Sequence, residues 1–316
     1  MQSRHSAWKD YVQVARPDHW FKNLFMLVGF FLCIPMEGVP LSAALVYRGI
    51  LGLALACLTA SGNYILNELI DAPMDRAHPK KRHRPVASGR AKRWPLGVGM
   101  VLLPLVAAGI GHVALGAGFS FWTAVFWLAA VAYNVRPLRF KEVAVLDGIT
   151  ESANNPIRLM LGWYAASAHA AMPPMAMVIA FWSLGAFLMT AKRFAELRAL
   201  RPEQAKAYRR SFHWYSERRL LLMMVTYISA FMCLAVVLAL KCHPEWLLAL
   251  PFGCIFVGWF LHLAAEPDSI VQEPERVTER PAFVAYSFGL FVLVVLLSAA
   301  QWPALRHWLG MPGTGW

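Results

Sequence analysis

The chain has 316 residues, 58% of them hydrophobic and only 15% charged, with a positive mean hydropathy. Repeated apolar runs near bilayer-spanning length exclude an ordinary soluble globule and predict an all-α integral membrane protein. The net charge of +12 does not point to nucleic acid, because the cations sit in loops between apolar runs; anionic headgroups and phosphorylated substrates are the expected partners.

Residues 1–21 form a basic amphipathic segment, with Trp8, Tyr11 and Trp20 among Lys9, Arg16 and His19, suited to the membrane interface. The chain is polar as far as Asn23, so no cleavable signal peptide is expected. Lys22, at the entry to the first span, reads equally as an interfacial anchor and as a substrate contact. Nine apolar runs follow, at about 22–38, 45–66, 94–116, 118–135, 143–165, 174–196, 219–240, 245–264 and 283–303. They make residues 22–303 a transmembrane catalytic domain and 304–316 a short tail. Of the 30 lysines and arginines, only Arg48, Lys241 and Arg306 fall on the far side, and Arg158 falls within a span. The positive-inside bias therefore predicts a multi-pass protein of the inner (plasma) membrane, with its N-terminus cytoplasmic and its C-terminus outside. The five cysteines lack CxxC spacing and read as packing residues.

The organising stretch is Asn67 to Gly89, which places acids at the end of an apolar run and a cluster of cations directly after it. At roughly 100° per residue, Asn67, Glu68, Asp71 and Asp75 fall within about 100° of one helix face. Such a face can hold Mg²⁺, an oxygen-seeking ion usually completed by substrate phosphates. Lys80, Lys81, Arg82 and Arg84 read either as positive-inside charges or as neutralisers of that phosphate. Pro73 predicts a kink or end to the helix, which puts Asp75 on a loop.

After the fourth run come Tyr133, Arg139 and Lys141, and then a span carrying Asp147, Glu151, Asn154, Asn155 and Arg158 on one stripe. Those groups must face a bundle interior or a water-filled cavity. Either they form an internal network, with Arg158 paired to Glu151 or Asp147, or they make the second side of a metal–diphosphate clamp. Lys192, Arg193 and Glu196 end the sixth run and read as a simple helix end or as a further phosphate contact. The basic loop at about 197–218 contains Tyr208, Ser211, Tyr215 and Glu217 without a sharp role, and Glu266 to Arg280 is a candidate lid.

On these residues the chain resembles the UbiA superfamily of intramembrane prenyltransferases. The first motif of that superfamily is matched by Asn67, Asp71 and Asp75, with Glu68 where an aspartate is usual, and Asp147 and Glu151 look like the second. The runs Arg16-Pro17, Trp20, Lys22-Asn23; His78-Pro79, Lys81, Arg84-Pro85; and Lys192-Arg193-Phe194-Ala195-Glu196-Leu197 are most similar to the decaprenyl-phosphate phosphoribosyltransferase branch. The resemblance implies a nine-transmembrane-helix bundle around a central cavity open to the cytoplasmic face. It implies Mg²⁺ on Asn67, Glu68, Asp71, Asp75, Asp147 and Glu151, with Asp71, Asp75, Asp147 and Glu151 catalytic. Substrates would be a phosphorylated sugar donor and a polyprenyl phosphate, contacted by Lys22, Asn67, Lys81, Arg84, Tyr133, Arg139, Lys141, Asn155, Arg158, Lys192, Arg193 and Glu196. The branch further implies a place in arabinofuranose-type glycan assembly and cell wall biogenesis, and admits a homo-oligomer. An aromatic prenyltransferase using a polyprenyl diphosphate is the alternative enzyme. A lipid or ion transporter with an acidic relay is the reading from another class, and no repeat of paired broken helices supports it.

Overall fold

The computed structural model describes residues 8–76, 81–199, 210–272, 274–300 and 302–309. His78, Pro79, Lys80 and Tyr208, singled out above, lie outside them. The described residues are helical throughout: α1 (Trp8–Ala15), α2 (Met26–Met36), α3 (Ala43–Asp75), α4 (Arg93–Ala114), α5 (Ala117–Asn134), α6 (Leu146–Ser152), α7 (Asn154–Ala166), α8 (Met175–Ala199), α9 (Glu217–Lys241), α10 (Leu250–Ala265), α11 (Pro281–Ala299) and α12 (Pro303–Trp308). Seven helical segments among them are long and apolar enough to cross a bilayer. The expected run at 118–135 is the helix α5, which is not among the seven, and the run at 143–165 is broken into α6 and α7.

Residues 1–33 and 39–170 form one compact unit, and 34–38 with 171–316 form a second. In the first unit, α3 is the axis. Ser42 caps its N-terminus by accepting the Leu45 N–H at 3.2 Å. Contrary to the expectation from Pro73, the helix continues to Asp75. The proline removes the N–H that would bond Leu69 O, but Arg93 Nη2 donates to that carbonyl at 2.9 Å instead, and Arg76 N still reaches Ala72 O at 3.2 Å. Asp75 therefore shares one rod with Asp71. The chain after α3 folds back on it, burying Val86, Ala91 and Leu96 against Ile65, Leu69 and Ala72, with Val14 of α1 in the same core.

Helices α2 and α7 cross in backbone contact. A Cβ on Gly162 would lie 1.8 Å from Met26 O, and one on Gly29 would lie 1.9 Å from Leu159 O, so only glycine permits the crossing. Large apolar side chains left exposed, such as Leu105 and Val113 on α4, Val225 on α9 and Phe288 on α11, suit contact with lipid tails. Arg48 on α3 gathers the loose ends of two other helices: Nε donates to Ala165 O at 2.9 Å, Nη1 to Ala114 O at 3.3 Å, and Nη2 to Leu115 O at 3.1 Å and Tyr164 O at 3.3 Å. These carbonyls end α4 and α7 and have no intrahelical donors left, so one guanidinium serves both termini.

In the second unit, α8 carries Phe187, Ala191 and Phe194 into a core with Phe212, Leu220, Leu263 and Phe283. Ser216 caps α9 by accepting the Arg219 N–H at 3.3 Å. The segment between α10 and α11 is tied by charge: Arg276 donates to both oxygens of Asp268 at 3.0 Å and to Glu279 at 2.9 and 3.0 Å, while Arg280 reaches Glu266 at 2.6 Å. Ile270 and Val271 anchor it in the core. The five cysteines are free thiols; Cys33 and Cys57 are buried as expected of packing residues, whereas Cys233 and Cys254 are exposed on the helix surface.

Two outcomes follow from these contacts. Arg48→Met is expected to cost on the order of 3 kcal/mol, because it orphans helix-end carbonyls; the measurement is the unfolding midpoint in detergent, and a loss below about 0.5 kcal/mol removes the clamp. Hydrogen bonds from Arg276, and then its charge, hold the Asp268 and Glu279 carboxyls below the usual carboxylate range. Carboxyls depressed on folding stabilise at pH above their ordinary range and lose that contribution as pH falls through the depressed values. Amide protection in 266–272 and 276–280 should therefore hold steady from about pH 7 to 5 and decline only below about pH 4.

Candidate active site

The acids at the end of α3 do not stand as bare carboxylates. Lys141 Nζ lies 2.5 Å from Asp71 Oδ1, 3.0 Å from Asn134 Oδ1 and 3.4 Å from Asn67 Oδ1, so one ammonium is ringed by three oxygens. Asn134 is aimed by its own Nδ2, which donates to Ala130 O at 2.9 Å and leaves the amide oxygen for the lysine. Arg139 Nη2 approaches the same Asp71 oxygen at 3.6 Å. Asp75 is paired with Arg84 at 2.7 Å, and both oxygen and guanidinium are largely withdrawn from solvent. Glu68 accepts the Val86 N–H at 3.1 Å, which pins the returning chain and brings Arg84 to Asp75.

The segment that delivers Lys141 and Arg139 is strained at both ends. Arg139 has φ 34° and Val145 has φ 70°, a region that a β-branched residue rarely adopts. Such conformations persist where surrounding contacts over-determine them, commonly at functional sites. Val145 then opens α6, where Asp147 is fully buried and Glu151 accepts from the Tyr133 hydroxyl at 3.3 Å.

The expected single stripe from Asp147 to Arg158 is divided. The helix breaks at Ala153, three residues before Pro156; Asp147 and Glu151 belong to α6, whereas Asn154, Asn155 and Arg158 belong to α7. In a first helical turn the N–H that proline lacks has no intrahelical acceptor and no carbonyl of the same helix lies four residues back to clash, so a restart there relieves the conflict. Arg158 pairs with neither expected acid. Its Nε donates to Asn23 Oδ1 at 3.0 Å and its guanidinium lies 5.2 Å from the Phe126 ring centroid.

Lys22 Nζ sits 2.8 Å from His19 Nδ1, and Lys81 is half-buried in the turn Lys81–His83. In the second unit, Arg193 is buried on α8 and pairs with Glu196 at 3.0 Å, with Lys192 half-buried beside it. Asn23 and Asn134 are the partners that the sequence reading left without roles. Each is an amide at the edge of an apolar run beside residues already singled out, and that position was the available signal.

Among the described residues, no three acidic, histidine or cysteine side chains converge as a ready metal seat. The chemistry around Asp71 nevertheless suits a hard divalent ion: all three donors facing Lys141 are oxygens, and the ammonium occupies the place of a cation.

A model of the UbiA prenyltransferase family matches residues 23–273. The nodulation protein NoeC of Azorhizobium caulinodans is 35% identical over 196 residues, 62% of this chain and 60% of that protein. Decaprenyl-phosphate phosphoribosyltransferase of Mycolicibacterium smegmatis is 32% identical over 206 residues, 65% of this chain and 62% of that protein. The matched segment thus spans about three fifths of the length of these relatives. The solved structure of a UbiA homolog from Archaeoglobus fulgidus bound to DMAPP and Mg2+ superposes with a TM-score of 0.66 at 16% identity, covering 90% of this chain and 99% of that one. At that identity the likeness is one of fold.

Removing the internal cation should expose the oxygens it holds. Lys141→Met is expected to tighten Mn²⁺ binding in the absence of substrate by about tenfold, read by electron paramagnetic resonance. Unchanged affinity would mean that the ammonium does not compete for that place.

Proposed function

This chain belongs to the UbiA prenyltransferase family, and we propose that within it the protein transfers 5-phosphoribose from phosphoribosyl diphosphate to a polyprenyl phosphate. That it is a multi-pass membrane transferase follows from the family and from its apolar helices. The observation that carries the finer reading is the similarity to decaprenyl-phosphate phosphoribosyltransferase over 65% of the chain, joined to the basic groups Arg84, Arg139, Lys141 and Arg158 in one unit. A single diphosphate does not call for so many cations. Two phosphorylated substrates do.

In this reading Asn67, Glu68, Asp71 and Asp75 from α3, with Asp147 and Glu151 from α6, are the oxygen ligands for Mg²⁺. When bound, the ion supplies Lewis acidity to the departing diphosphate oxygens. Lys141, Arg139 and Arg84 exchange their carboxylate partners for diphosphate oxygens and hold the leaving group as preorganised positive charge. The C1–O bond of ribose breaks, its electron pair leaving with the diphosphate, and an oxygen of the lipid phosphate bonds to C1 from the opposite face. That phosphate is already anionic near neutral pH, so no strong general base is needed. Tyr133, bonded to Glu151, orients the carboxylate of α6. In the same reading Lys22, Lys81 and Asn155, also of the first unit, line the donor's approach. The charge bias of the loops supports a plasma-membrane protein with this chemistry on the cytoplasmic side.

The family's name and the DMAPP-bound solved homolog favour a second reading, prenylation of an aromatic acceptor. Both reactions expel diphosphate, so the products decide. Purified protein with Mg²⁺, labelled phosphoribosyl diphosphate and polyprenyl phosphate is expected to yield labelled lipid. Absence of that lipid, alongside prenylation of an aromatic acid from a polyprenyl diphosphate, transfers the assignment to the second reading. Asp71→Ala and Asp75→Ala should each lower turnover at least about 10³-fold while the thermal midpoint stays near that of the parent.

A further inference from the structure

Arg48, half-buried, and Arg158, buried, both lie in the first unit, and they are satisfied in different ways. All three nitrogens of the Arg48 guanidinium group bond helix-end carbonyls. Arg158 is 9% exposed, and among the described residues its one hydrogen bond is from Nε to Asn23. No carboxylate pairs with it there. Asn23 is 1% exposed and is itself fixed, its Nδ2 donating to the Cys57 sulphur at 3.4 Å, so its oxygen faces the arginine. The Phe126 ring beside the guanidinium adds a quadrupole attraction but no acceptor.

A guanidinium carries five N–H donors and keeps its charge in a protein. Buried without an anion at membrane depth, it carries a desolvation cost that a single amide does not offset. The acids expected to balance it, Asp147 and Glu151, stand on the other side of the break at Ala153. Among the described residues no carboxylate balances it.

We propose that Arg158, oriented by Asn23, is the seat for the phosphate monoester at one end of the donor whose diphosphate end lies at the Asp71–Lys141 cluster. The spacing carries the assignment. Phe126, beside Arg158, and Asn134, in the ring around Lys141, are on one helix eight residues apart, or about 12 Å along α5. Two anion seats at that separation suit one substrate with an anion at each end, as phosphoribosyl diphosphate has. A polyprenyl phosphate carries its only anion at the attacking end, which must lie beside C1 and so near the leaving diphosphate. The planar fork of Nη1 and Nη2 matches phosphate oxygens in pairs. This assignment rests on the phosphoribosyl-transfer reading above.

The test uses the full chain in lipid nanodiscs with Mg²⁺ and measures binding of phosphoribosyl diphosphate and, separately, of inorganic pyrophosphate. Arg158→Met is expected to weaken the first on the order of 100-fold and leave the second within about twofold. Ribose 5-phosphate should compete with the donor in the parent and fail to compete in the variant. Asn23→Asp gives Arg158 an internal carboxylate; it should produce the same loss with an unchanged or raised thermal midpoint, which separates a filled seat from a misfolded one. Donor binding indifferent to both substitutions overturns the seat and leaves the transferase reading standing. So does a loss shared equally by pyrophosphate, or one confined to polyprenyl phosphate. A parent protein that binds hydroxybenzoate through Arg158 and does not bind phosphoribosyl diphosphate overturns the reading and the seat together.

Discussion

The ammonium of Lys141, ringed by Asp71, Asn134 and Asn67, is the interaction on which the arrangement of the first unit turns. Carboxylates at the end of a membrane helix are costly unless a cation accompanies them. Here Asp71 has Lys141 and Arg139, and Asp75 has Arg84, while Glu68 accepts a backbone N–H. The pairs fix the positions of three chain segments that have no continuous helix to place them. Glu68 holds Val86 and so the return from α3, Asn134 ends α5, and the turn Phe140–Glu142 is drawn in by its lysine.

This pairing makes the site a matter of exchange. Any cation reaching Asp71 has to replace an ammonium, and any anion reaching Lys141 has to replace a carboxylate. A metal or a diphosphate alone leaves one charged partner stranded in a medium where stranded charge is expensive. Arriving together they conserve the number of ion pairs. The left-handed backbone at Arg139 and the positive φ at Val145 bracket the segment that carries Lys141 to this exchange.

Much of this was legible in the sequence because it depends on spacing. The face shared by Asn67, Glu68, Asp71 and Asp75 is set by helical periodicity, and the structure keeps those residues on one continuous helix. The charge bias likewise follows from counting. What spacing could not supply was how rules compete. Pro73 carries a strong local prohibition, but Arg93 replaces the donor it removes from Leu69 O, and the fold-back through Val86 and Arg84 holds the terminus in place. Pro156 carries the same prohibition and prevails, by way of a break three residues earlier, because a new first turn tolerates it. The pairing of acids with lysine and arginine is a tertiary matter: Lys141 is 70 residues from Asp71 in the chain.

The contrast between Arg48 and Arg158 shows how buried charge in a membrane separates architecture from chemistry. One is half-buried and the other buried, and residue type alone does not distinguish them. Arg48 sits where two helices end, and four carbonyls with no other donor consume its hydrogen bonds, so its positive charge meets the negative ends of the helix dipoles. Arg158 sits four residues past the start of α7, beside carbonyls already used by their own helix, and among the described residues its hydrogen bond goes to the Asn23 amide, with the Phe126 ring beside it. Helix ends can satisfy a cation with backbone carbonyls; a helix flank needs a carboxylate within reach, as Glu196 is for Arg193. The acids of α6 do not supply one to Arg158: Glu151 accepts from the Tyr133 hydroxyl, and among the described residues neither it nor Asp147 pairs with the guanidinium, so this flank lacks the internal counter-charge that Arg193 has.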